Sequence, residues 1–251
     1  MRSEYMVAVS DVRGMSFRFK TEDAVGRHIY KLGSYEETMT DWLECTVRLG
    51  AGDVALDVGA NIGWYAVLLA KLSDPATQVF AFEPDPLNFS LLVDNLARNG
   101  ASTVKPVQKA AGAIAGRLHL HQYGAKNLGR HSLLPINEGT SVEVEVLSLD
   151  AFLAAEGIDL ARVRFLKMDV EGFELSVLEG MPKLLAANPL IIAEYSPATM
   201  RRCGLDVGRM LGLLRDAGYL GHRLVAGALK PVAPGVLEAL DHTVNLVWKR
   251  P

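Results

Sequence analysis

The sequence predicts an α/β fold, a largely parallel sheet wrapped by helices, and two observations carry that prediction. From Val54 onward, short apolar runs of strand length alternate with amphipathic stretches of helix length, the pattern of strands buried on both faces. The first of these runs, "VALDV", passes through the glycine-bearing turn "GANIG" directly into the apolar stretch "WYAVLLAKL". With 251 residues, 49% of them hydrophobic, the chain can fill one large core. A single domain over residues 1–251 is therefore expected, with a lead-in at 1–50 and the core at 51–251.

The elements follow in order. "YMVAVSDVRGMSFRFK" alternates on both sides of a polar break and predicts a half-buried hairpin, with Val7 and Val9 facing one way and Phe17 and Phe19 another. "TEDAVGRHIYKLG" predicts a short helix, Thr21 as its N-cap and Gly33 as its stop, and a second helix is expected from Tyr35 to Leu49. "VALDV" is the first buried strand. "QVFAFEP" is the second, and Asp85 with Pro86 forms an N-cap and N1 pair for the helix "PLNFSLLVDNLARN", closed by Gly100. "TVKPVQKAA" reads as the third strand.

An insertion at about 115–147 then breaks the alternation. "RLHLHQY" and "SVEVEVLSL" both have period two, so they predict a β-hairpin around the loop "GAKNLGRHSLLPINEGT", long enough to suggest a function of its own. "SLDAFLAAEG" predicts a helix and "VRFLKMDV" the fourth core strand. The helix "FELSVLEGMPKLLAAN", the strand "PLIIAEYS", the helix "DVGRMLGLLRDAG" stopped by Gly218, and closing strands around "YLGHRLV" and "HTVNLVWKR" complete the chain.

A formal charge of −3 gives no electrostatic footprint for a polyanion, so no nucleic-acid partner is expected. Cys45 and Cys203 lie far apart without metal-site spacing and read as two buried thiols in a reducing compartment. No stretch approaches a membrane span or a signal peptide, which predicts a cytoplasmic protein without a membrane partner. The oligomeric state is not legible.

The turn after the first strand carries the functional signal. Ligands of open α/β sheets bind outside the carboxyl ends of the strands. Gly59 and Gly63 permit positive φ and close approach of backbone N–H groups, and a helix N-terminus lies behind them. A dinucleotide site would show G-x-G-x-x-G; here the order is G-x-x-x-G, with Asp57 two residues ahead of the first glycine. A carboxylate there repels a pyrophosphate and suits a ligand bearing an ammonium or a positive sulfur, which favours S-adenosylmethionine over NAD. Glu83 ends the second strand 26 residues after Asp57, where an acid can accept from both ribose hydroxyls.

These residues, with "FAFEPDP", "LSLDAFL", "FLKMDVEGFELSVLEG" and "PLIIAEY", resemble the FkbM-type S-adenosylmethionine-dependent methyltransferases over most of the chain. The resemblance implies a Rossmann-like, seven-stranded class I methyltransferase sheet and methyl transfer to a hydroxyl of a sugar, glycan or small natural product. It also implies that Asp57, Gly59, Asn61 and Gly63 line the methionine half of the cofactor and that Glu83 holds the ribose. Glu36, in "SYEE", matches an acidic position that would close over the cofactor, and "NLGRHSL" matches a loop facing the reaction site.

Methyl transfer to a hydroxyl requires an aligned nucleophile, exclusion of water and removal of a proton. Asp169, at the end of "VRFLKMD", is the leading candidate for the base, followed by Glu194 at the end of "PLIIAE" and by His131 in the insertion loop. Asp169 and Glu194 stand on strand ends suited to shared acid/base work or to a divalent metal, although no metal site is assigned. Glu171 and Glu174 are expected to hold local structure. His119 and His121 share a strand face and read as solvated. Trp64 and Tyr65 read as core, while Lys126, Arg130, Arg201 and Arg202 are weaker candidates for pairing with an acidic substrate. The alternative function is a cofactor-binding regulatory or partner protein of the same fold without transfer activity.

Overall fold

A computed structural model describes residues 4–10, 13–123, 127–135 and 139–251. The lead-in is an antiparallel hairpin, β1 (Tyr5–Ser10) and β2 (Met15–Lys20), followed by α1 (Ala24–Leu32) and α2 (Glu37–Thr46). Period-two alternation turns Met15, Phe17 and Phe19 of β2 inward. The N-cap of α1 is Asp23 rather than Thr21: its carboxylate accepts the Gly26 N–H at 2.8 Å. Gly26 lies against the Phe19 ring, where a Cβ would stand 2.1 Å from a ring carbon, so the helix must begin with that residue already in its first turn.

The core runs β3 (Val54–Val58), α3 (Trp64–Lys71), β4 (Gln78–Phe82), α4 (Pro86–Arg98) and β5 (Val104–Val107). The insertion follows as β6 (Ala110–Ala111), β7 (Gly116–His121) and β8 (Ser141–Leu147), then α5 (Leu149–Ala155) and β9 (Val163–Met168). The remainder is α6 (Glu174–Glu179), α7 (Pro182–Ala186), β10 (Leu190–Tyr195), α8 (Pro197–Arg202), α9 (Val207–Asp216), β11 (Leu220–Val225), β12 (Ala228–Pro231), α10 (Pro234–Ala239) and β13 (Val244–Lys249). The main sheet has the order β12-β11-β13-β10-β9-β3-β4-β5. From β10 to β5 it is parallel; on the other side β13 pairs antiparallel with both β10 and β11, so β13 runs against the parallel strands and β11 runs with them.

Alternation along the strands separates two cores. Ala55, Val79, Ala81 and Phe165 pack toward α3, α4 and the lead-in, whereas Leu56, Val58, Phe80, Phe82, Leu166 and Met168 pack toward the helices that follow β8. The chain reverses its direction of winding between β3 and β9, so the carboxyl ends of these neighbours open a crevice at the switch point.

Four details differ from the sequence reading. The sheet has eight strands, because the turn at Ala226 and Gly227, both at positive φ, folds β12 back onto β11 as an exposed edge with no apolar alternation. The third strand is two: after β5 the chain turns away, and β6 pairs with β8, so the insertion is a three-stranded sheet of order β6-β8-β7 rather than a hairpin alone. The helix after the fourth strand divides into α6 and α7 at Gly180, where a Cβ would meet the Gly112 carbonyl oxygen at 2.0 Å. Cys45 is exposed and Cys203 half-buried, both as free thiols; Cys45 falls on the face of α2 opposite Met39, Trp42 and Leu43.

Candidate functional site

The turn after β3 is built from unusual backbone. Gly59 has φ +83°, and a Cβ there would stand 1.8 Å from the Asp169 carbonyl oxygen, so β3 and the segment after β9 touch through a position only glycine can fill. Asn61 takes the left-handed conformation at φ +52° and turns its Oδ1 back to the Ile62 N–H at 2.6 Å. Gly63, at φ +96°, is the N-cap of α3 and approaches Leu92 of α4.

Glu83 supports the turn from the end of β4. Its carboxylate accepts the Asn61 N–H at 2.8 Å and the Asp85 N–H at 2.9 Å, and burial raises its pKa to about 8 against those bonds. Asp57 lies beneath the turn, fully buried, with both carboxylate oxygens outside good hydrogen-bonding geometry; the Lys167 ammonium and the Ala66 N–H of α3 are the groups that favour its charge. Burial raises its pKa to about 6, the Lys167 ammonium opposing. An ionisable group left in this state is costly unless something else completes it.

A cavity of about 290 Å³ opens over these residues. Gly59, Asn61 and Glu83 line it together with Asp169, Glu171 and Glu194, and Tyr35, Glu36, Tyr65 and Lys167 join them. One carboxylate oxygen from each of Asp169, Glu171 and Glu194 lies within 4.8 Å of the other two, a separation that a divalent cation can bridge. Burial and the charge of Asp169 raise Glu171 to about 8 and Glu194 to about 10, with Arg130 opposing the first shift and Ser196, which donates to Glu194 at 3.1 Å, opposing the second. Lys167 places its Nζ 3.0 Å from Asp169 Oδ2 and 4.6 Å above the Tyr65 ring.

The lead-in and the insertion close the cavity. Glu36 sits in the left-handed region at the start of α2 and accepts from Tyr65 Oη and, at 2.7 Å, from Asn245 Nδ2 of β13. The loop from Asn127 crosses above the glycine turn: the Leu128 N–H donates to Asp23 at 3.0 Å, and Asn88 donates to the Leu128 carbonyl at 3.0 Å. His131 lines the cavity, but its Nδ1 turns to Asp85 Oδ2 at 3.3 Å, an ion-pair distance without hydrogen-bonding geometry. Burial opposes ionisation of Asp85, yet contacts from His131, the Asn88 N–H and Gln122 lower its pKa to about 2.

The structure thus brings Glu36, Gly59, Asn61, Glu83, His131, Asp169 and Glu194 to one cavity; Asp57 and Gly63 do not line it, Asp57 being buried on β3 two residues before Gly59 and Gly63 packing against Leu92. Glu174 braces the turn after β9, accepting the Val170 and Gly172 N–H groups at 3.2 and 3.3 Å. Lys167, Glu171 and Tyr35 are additions; a lysine within the apolar run "VRFLKM" is the one sequence signal that marks the first. His28 also lines the cavity, its ring edge-on to Tyr35 at 5.8 Å. Arg130 lines it over the Tyr123 ring, whereas Arg201 is spent on the Leu240 and Glu238 carbonyls away from it. Lys126 falls outside the described residues. Among the described residues no helix is long and apolar enough to cross a membrane.

A profile of the methyltransferase FkbM domain matches residues 57–220. The chain is 32% identical to the 31-O-demethyl-FK506 methyltransferase FkbM of Streptomyces tacrolimicus over 215 residues, covering 74% of this chain and 80% of that one. It is 32% identical over 165 residues to the hexuronic acid methyltransferase AglP of Haloferax volcanii, covering 66% of this chain, and it spans 62% of that relative's length. Among solved structures it is similar to M. jannaschii TYW2 in complex with AdoMet, at 15% identity and a TM-score of 0.49, covering 100% of this chain and 89% of that one.

Proposed function

Because the chain belongs to the FkbM methyltransferase family, we propose that it is an S-adenosylmethionine-dependent O-methyltransferase whose acceptor is a hydroxyl of a sugar, glycan or small natural product. One observation carries the cofactor reading: the fully buried Asp57 carboxylate, without good hydrogen-bonding geometry at either oxygen, under a turn that only glycine can complete at position 59. That pairing fits a cationic ligand held against backbone and leaves a pyrophosphate facing a negative charge. The names of two relatives, one a hexuronic acid methyltransferase and one acting on a demethylated natural product, support the acceptor class. The unpaired thiols accord with a cytoplasmic location.

Asp57, Gly59, Asn61 and Gly63 would hold the amino-acid half of the cofactor and Glu83 the ribose, through the acceptor capacity its two N–H bonds leave free. When bound, S-adenosylmethionine supplies an electrophilic methyl group on positive sulfur. Asp169 takes the proton of the acceptor hydroxyl, Glu171 and Glu194 orient the acceptor, and the loop at 127–131 with Tyr35 and Glu36 excludes water.

Calorimetry with S-adenosylmethionine and NAD, followed by S-adenosylhomocysteine release over a panel of hydroxyl acceptors, tests this. We expect binding of the first, loss of that binding in D57A, and a fall in kcat of about 10²-fold or more in D169N. Tighter binding of NAD sinks the cofactor reading. Cofactor binding without turnover on any acceptor sinks the transfer reading in favour of a binding protein.

A further inference from the structure

Lys167 carries a full charge into the middle of the sheet. It is 3% exposed, and its own burial works against the ammonium, but Asp169, Glu36 and Asp57 outweigh that cost and hold the proton on. Its neighbours come from several elements: Asp57 beside it on β3, Tyr65 beneath it from α3, Glu36 at the start of α2, and Asp169 and Glu171 after β9, while Glu174 on α6 and Glu194 on β10 act on Asp169. Tyr35 faces the same acids, and Arg130 approaches Glu171 from the insertion. Among the described residues, Asp169 is the one carboxylate within 4 Å of the Lys167 ammonium.

Three carboxylates within 4.8 Å of one another repel too strongly to share full charge when Lys167 touches only one of them and Arg130 only approaches Glu171. We propose that Lys167 is the positioning residue of the site: it selects Asp169 as the charged carboxylate of the three, with one oxygen fixed by the ammonium and the other left for the acceptor. Glu171 and Glu194 then remain protonated and act as hydrogen-bond donors to the acceptor's oxygens. Their raised pKa values, about 8 and about 10, agree with that division. Backbone geometry supports it as well. Glu171 is held at φ +53°, a conformation rare outside glycine, and its carbonyl accepts from Ser132 Oγ at 2.8 Å, so the insertion loop fixes where this donor stands.

The role given to Asp169 rests on the methyl-transfer reading, but the division of charge does not, and the two are tested separately. Carboxyl-carbon NMR of the full chain at about pH 7, without cofactor, should show Asp169 as carboxylate and Glu171 and Glu194 as carboxylic acids. In K167M the carboxyl signals should no longer divide into one carboxylate and two acids, and K167R should restore the wild-type pattern. The acidic limb of the kcat profile should move in K167M and return in K167R. Three carboxyls titrating together in the wild type, or a carboxyl spectrum unchanged in K167M, overturns the proposal. So does millimolar Mg²⁺ converting all three to carboxylates, which would make the cluster a cation site. If K167M does not fold, the wild-type spectrum and K167R decide. Absence of turnover in the wild type refutes the transfer reading alone.

Discussion

At the scale of single residues, Asp57 shows stability and ligand binding in opposition. Its two oxygens are buried outside good hydrogen-bonding geometry, and the Ala66 N–H and Lys167 only partly offset the burial, so D57N, which removes the charge and supplies donors, should raise the urea midpoint while weakening S-adenosylmethionine binding by at least about tenfold. Paired denaturation and calorimetry check both halves; a lowered midpoint would show that the charge already has a partner. Gly59 offers a contrasting case: G59A adds a methyl group against the Asp169 carbonyl at a positive φ and should cost about 3 kcal/mol or more in the same melts. Both positions were legible in the sequence, because acid-before-glycine spacing is itself a statement about charge and backbone freedom. Lys167 and Glu171 were not. Assigning them a role required knowing that β9 and β10 end side by side, which no local pattern encodes.

At the scale of elements, the site depends on helix caps that serve two purposes. Asp23 caps α1 through one oxygen and holds the Leu128 N–H of the insertion loop through the other. D23A should therefore cost about 1–2 kcal/mol in global stability and also lose hydrogen-exchange protection at the Leu128 amide, far from it in sequence. Protection retained at Leu128 would show that Asn88 alone secures the loop. The core strands and their helices were readable because apolar period and caps agree, as Asp85 and Pro86 show at the start of α4. The elements missed or merged were short ones set by distant contacts: β6 forms because β8 offers an edge, and α6 stops because Gly180 meets Gly112.

At the scale of the whole molecule, the buried acids set an unusual dependence on pH. Burial raises Asp57 to about 6, Glu174 to about 7 and Glu83 to about 8. Each holds in the folded state a proton that the unfolded chain releases near pH 4 to 4.5, so their stabilisation is full below that range and is lost as pH rises through 6 to 8. Thermal melts without cofactor should fall by on the order of 5 °C between pH 5.5 and 8.5, and E83Q should flatten that slope. A melt that rises over the same interval contradicts this. The hydrogen bond from Asn245 to Glu36 spans 209 positions, joining the strand nearest the C-terminal end of the main sheet to the start of a lead-in helix. β13 lies between β10 and β11, so this bond forms only after the final strand has entered the sheet. The consequence is a dependence across the chain: an acid of the lead-in that lines the cavity is held by the last strand, so a change that disturbs β13 reaches the site through Glu36.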